Sequence, residues 1–165
     1  MNAYTPARLL AIGAFALLGG VFAPATVMAA DTHQHDTHTA VLKLNQGAKW
    51  QTDEALRTGM ESIRNALAQA LPDVHSGKFD TTRYQTLAQS IEAQVGYVVQ
   101  NCKLQPEADD VLHAIIGEIG QGVDVIAGHK PGTEREQGVV LVARTLDDYA
   151  AHFEHPGWKG LKTEH

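Results

Sequence analysis

Tyr84, Ala88, Ile91, Val95, Val98 and Cys102 recur at steps of three and four. Among regular backbones that spacing forms one stripe only on an α-helix. The stripe runs up to Lys103-Leu104-Gln105-Pro106, where a proline favours a new helix start. Tyr84 to His113 therefore predicts the end of one amphipathic helix, a tight turn and the start of the next. Cys102, the only cysteine of the chain, continues the inward stripe at the hinge. An inward thiol is either a packed hydrophobe or a metal ligand.

Three further stripes flank this unit. Leu56, Met60, Ile63, Leu67 and Ala70-Leu71 predict a helix over 52–71, with Thr52 as its cap, Asp53 and Glu54 as acids in its first turn, and Pro72 as its stop. Asp80 caps the second helix, which runs to about Asn101. Pro106, with Glu107, Asp109 and Asp110 in its first turn, opens a third along Leu112, Ile115, Ile119, Val123 and Ile126, ended by Gly128. Gly117, Gly120 and Gly122 lie in its middle, where glycine weakens a helix and lets a neighbour approach closely. Thr133 and Glu136 form a capping-box pattern for a fourth helix along Val139, Val142, Leu146, Tyr149 and Phe153, closed by Pro156-Gly157. Four helices with short connections predict an all-α, up-down-up-down four-helix bundle over residues 42–165.

The first 30 residues read as a cleaved signal peptide. Arg8 precedes the apolar run Leu9 to Val21, and Val27-Met28-Ala29-Ala30 supplies small residues for cleavage. The run is shorter than the roughly 20 residues a bilayer span needs, so no membrane span is expected after cleavage. Residues 31–41 then read as a disordered leader carrying His33, His35 and His38, either a loose metal chelator or a solvated spacer. The expected address is the periplasm. A formal net charge of −6, with no basic cluster, argues against nucleic acid.

Counting residues outward from the turns of such a bundle brings Trp50, Cys102, His152, His155 and Trp158 to one end. His113 lies further in, flanking the apolar stripe beside Ile116, with Met60 deeper still. Thiolate, imidazole and thioether make a soft set that suits monovalent copper. The candidate metal ligands are therefore Cys102, His113, His152, His155 and Met60, with His152-x-x-His155 as a pair on one helical face. The competing reading packs Cys102 as a small hydrophobe, Met60 as core and the histidines as solvated. Non-covalent haem between Met60 and His113 is a lesser expectation, and Cys-x-x-Cys-His for covalent attachment is missing. No catalytic residue is expected: the chain has no nucleophile-elbow motif, no phosphate-binding glycine loop and no HExxH. The expected partner is a metal ion or an unidentified protein.

The strings LNQGAKWQTDEALRTGMESIR, VGYVVQNCKLQPEADDVLH and LDDYAAHFEHPGW resemble signature regions of small exported bacterial proteins labelled DnrO. They cover nearly all of Leu42 to Trp158. The resemblance implies a secreted helical bundle and assigns no catalytic residue. It places Trp50, Met60, Cys102 and His113 inside the motifs and the His-rich leader outside them.

Overall fold

The computed structural model describes residues 42–161. The expected signal peptide, the whole of the expected leader and the last four residues lie outside these. The described chain is all-α: α1 (Glu54–His75), α2 (Thr81–Asn101), α3 (Pro106–Ala127) and α4 (Arg135–His152). Two-residue strands β1 (Trp50–Gln51) and β2 (Phe153–Glu154) pair in parallel, Trp50 opposite Phe153 and Gln51 opposite Glu154. None of the described helices is long and apolar enough to cross a membrane.

Each helix begins or ends where its local chemistry directs. Asp53 and Asp80 cap α1 and α2, accepting from the backbone N–H of Leu56 at 2.7 Å and of Arg83 at 2.9 Å. Pro106 occupies the first turn of α3, where its missing N–H costs nothing, and Gly128 ends that helix at φ +86°. The expected stop at Pro72 is not observed, because α1 continues to His75. A proline this close to the end removes one backbone bond. In return, Val74 reaches the core at 3% exposure, and Ser76, Lys78 and Gly77 donate to the carbonyls of Pro72, Asp73 and Val74.

The capping box expected at Thr133 is also corrected. α4 starts two residues later, with Glu134 at the cap position making no side-chain hydrogen bond. Arg135 instead donates from Nη1 to the Ile126 carbonyl at 2.6 Å, closing the end of α3.

The core is the set of stripes. Leu56, Met60, Ile63 and Leu67 of α1 pack with Ile115, Ile119 and Ile126 of α3 and Val139, Val142, Leu146 and Tyr149 of α4, all essentially without solvent contact. α2 contributes less, burying Leu87, Ala88, Ile91 and Val98 while Tyr84, Val95 and Cys102 are half-buried. Each helix packs on the next along the chain, α4 also meets α1, and the α3–α4 contact is the most extensive. That contact is closest at Gly122 and Gly138. A Cβ on Gly138 would lie 2.5 Å from the Gly122 carbonyl oxygen and 2.8 Å from the Ile126 nitrogen.

Candidate functional site

Asp53 is the hub of one end of the protein. Its Oδ1 caps α1, and its Oδ2 accepts from the Lys103 N–H at 2.6 Å. The Cys102 thiol lies beside the same carboxylate. One side chain thus ties the start of α1 to the turn between α2 and α3, 50 residues away. Burial pushes the carboxyl pKa up, but the Leu56 and Lys103 N–H groups, the Cys102 thiol and Arg57 outweigh it, leaving it below 3.8. The thiol is displaced the other way. Burial, then the neighbouring Asp53 charge and the hydrogen bond to it, push Cys102 up to about 12. At neutral pH it is a protonated thiol, neither a nucleophile nor a thiolate ligand.

Around this hub the chain termini of the fold are sewn together. Trp50, 7% exposed, donates from Nε1 to the Lys43 carbonyl at 2.7 Å and pairs through its backbone with Phe153. Thr52 Oγ1 donates to the Glu154 carbonyl at 2.7 Å, and Arg57 donates to the Thr52 carbonyl at 2.7 Å. A cleft of about 210 Å³ opens beside the hub, lined among others by Trp50, Asp53, Lys103 and Gln105.

Tyr149 is the second centre. Its ring stacks on Phe153 at 5.4 Å and meets Trp158 edge-on at 5.1 Å. Burial raises its hydroxyl pKa against the opposing effect of Arg57, and the nearby Cys102 and Asp53 groups add to the rise. The hydroxyl lies 2.8 Å from His155 Nδ1. Burial lowers the pKa of His155, partly offset by Glu61, which favours the neutral ring as the partner of the Tyr149 hydroxyl. The indole N–H of Trp158 is buried without an acceptor among the described residues.

The five ligand candidates separate. The turn that carries Cys102 and the stretch after α4 meet at one end, joined through Asp53, Thr52 and the pairing of β1 with β2. His155 is not a helical partner of His152, because α4 stops at His152 and Phe153 turns extended to pair with Trp50. Phe153 is 1% exposed, and a further helical turn would break the strand pairing that holds it there. His152 uses Nδ1 on the Asp148 carbonyl at 2.7 Å, which leaves the Nε2 lone pair available. His113 does not flank the core: its side chain is 68% exposed, and Nδ1 bonds the Asp109 carbonyl at 2.9 Å. Ile116, its reference neighbour, is itself only half-buried, so the flank of the stripe is already solvent. Met60, 1% exposed, is core, and is not brought together with His113. Among the described residues no group of three or more His, Cys, Asp or Glu has the arrangement of a metal site.

Sequence reasoning missed the bridging role of Asp53 and the Tyr149–His155 pair. The Thr-Asp-Glu signature announced a cap, but nothing local signals a partner 50 residues away.

His155 gives a pH-dependent test of this end. Its folded-state pKa is lowered, so its contribution is full above about 6.5, the unfolded value, and shrinks as pH falls from there toward the folded pKa. Thermal midpoints measured through this window are expected to fall less in His155→Gln than in the original chain. Equal slopes would place His155 in solvent.

No family model, curated protein or solved structure matches the chain.

Proposed function

We propose that the chain is an exported, non-catalytic binding module of the periplasm: an up-down-up-down four-helix bundle that engages a protein partner through the outward face of α3. The observation that carries this reading is the pair Gly117 and Gly120. Both sit inside a 22-residue helix, both are exposed, and a Cβ on either would meet nothing within 4 Å. Each costs α3 roughly 1 kcal/mol relative to alanine, and no neighbour in the described fold uses the space. Gly122, by contrast, lies against Val142 and the Gly138 carbonyl of α4. With Asp110 and His113 exposed and Asp124 half-buried beside them, the outward glycines make a flat, sparse strip on which a partner backbone could lie closely. The n-region, apolar run and small-residue cleavage pattern support export, and the resemblance to DnrO proteins agrees with a secreted bundle.

Gly117→Ala and Gly120→Ala are each expected to stabilise the isolated protein by about 0.4–1 kcal/mol in denaturant melts. Gly117→Arg is expected to keep the fold while losing a partner retained by the original chain in periplasmic pull-downs. Destabilisation by both alanines would show that the glycines serve the fold itself, and a partner still retained by Gly117→Arg would place docking elsewhere.

A metal-binding bundle is the second reading, favoured by the shared end of Cys102, Tyr149 and His155 and by the available Nε2 of His152. Copper(I) there requires the ion to displace the thiol proton held beside Asp53. The reading therefore predicts that copper(I) lowers the apparent thiol pKa far below 9, and that Cys102→Ser abolishes tight binding.

A further inference from the structure

The cleft between α1 and the C-terminal stretch has a charge pattern that neither reading above uses. Arg64 on α1, His75 in its last turn and Lys159 surround a space of about 460 Å³ with Leu71 and Pro72 in its wall. Among the described residues no Asp or Glu lines it, in a chain with 19 acidic residues against 13 lysines and arginines. A cleft of this volume lies within the range of small-molecule sites.

Its cationic wall is built rather than incidental. Arg64 donates from Nε to the Lys159 carbonyl at 2.9 Å, from Nη2 to the Gly160 carbonyl at 3.4 Å and from Nη1 to Asn65 Oδ1 at 2.8 Å. These contacts fix the guanidinium and still leave two of its five N–H groups for a ligand. The carbonyl end of α1, which would repel an anion, is covered there: Ser76, Lys78 and Gly77 donate to the Pro72, Asp73 and Val74 carbonyls. The nearby Asp73 carboxylate is taken up by Arg83 at 2.7 Å.

We propose that this cleft binds an amphipathic carboxylate of the medium-chain fatty-acid class, the chain against Leu71 and Pro72 and the head on Arg64, Lys159 and His75. A small hydrophilic anion would gain nothing from the apolar wall, and a neutral chain would make no charge-assisted bond to Arg64. The inference shares no residue with the α3 face and stands or falls separately from it.

Isothermal titration of the full exported chain with decanoate tests it. One site per chain is expected, with decan-1-ol at least tenfold weaker. Lys159→Glu combined with His75→Glu is expected to weaken decanoate at least tenfold, about 1.4 kcal/mol, while leaving decan-1-ol unchanged. Both positions are exposed, and the Lys159 contact to Arg64 is through its backbone. Ala68→Phe fills the cleft without altering its charge and is expected to abolish binding of both compounds. The inference is overturned if decanoate does not bind, if decan-1-ol binds as tightly, or if decanoate binds the double-charge or the Ala68→Phe variant as it binds the original chain.

Discussion

Gly138→Ala is expected to lower stability by about 3 kcal/mol, the upper end of the usual overpacking cost, and the thermal midpoint by roughly 10 °C. The added methyl would fall 2.5 Å from the Gly122 carbonyl oxygen and 2.8 Å from the Ile126 nitrogen. Both are backbone atoms inside α3, so neither moves aside by a rotamer change. The two helices must separate, and the contact they lose is the largest in the fold. The same substitution at Gly120, on the outward side of α3, is expected to have the opposite sign. A chemical-denaturation series over both positions checks the pair. A cost below about 0.5 kcal/mol at Gly138 would mean that α3 and α4 do not approach as described.

Asp53→Ala is expected to cost about 2–3 kcal/mol, more than an ordinary N-cap, whose loss costs about 1. The excess comes from the Lys103 N–H, which loses a charge-assisted bond, and from the half-buried Cys102 thiol, which loses its anionic neighbour. A double-mutant cycle with Cys102→Ala isolates the thiol. Coupling of about 0.5 kcal/mol or more is expected, and additive costs would mean that the thiol–carboxylate contact contributes nothing. The pH dependence has a definite sign. The folded Asp53 pKa lies below 3.8, so the contribution is full above that value and is lost as pH falls through the folded pKa.

The stripes were legible because a helix period is local: Leu56, Met60, Ile63 and Leu67, or Val139, Val142, Leu146 and Tyr149, declare one face within a few turns. Asp80, Pro106 and Gly128 were legible for the same reason, since a cap acts within four residues, whereas the cap of α1, expected at Thr52, falls one residue later on Asp53. What escaped depends on distant partners. Phe153 continues the α4 stripe in sequence, yet Trp50 draws it into a strand about a hundred residues from its own, and His155 leaves the helix with it. Level counting placed Cys102, Trp50 and the end of α4 together, but could not see that Asp53 occupies the thiol. His113 failed on angle: a position flanking a stripe is interior only if the stripe's own edge is buried, and Ile116 is not fully so. Gly117, Gly120 and Gly122 looked alike in sequence, and only packing tells that Gly122 meets α4 while the others face open space.

The thiol itself gives the most direct test of whether this end is a latch or a ligand. In metal-free folded protein, iodoacetamide alkylation of Cys102 at pH 8 is expected to be at least about tenfold slower than that of an unstructured cysteine peptide, because a thiol held near pKa 12 supplies almost no thiolate. Asp53→Asn removes the adjacent negative charge and should speed the reaction. An alkylation rate at or above that of the peptide, with a thiolate titrating below 9, would contradict the latch and describe instead a sulfur poised to bind a soft metal ion.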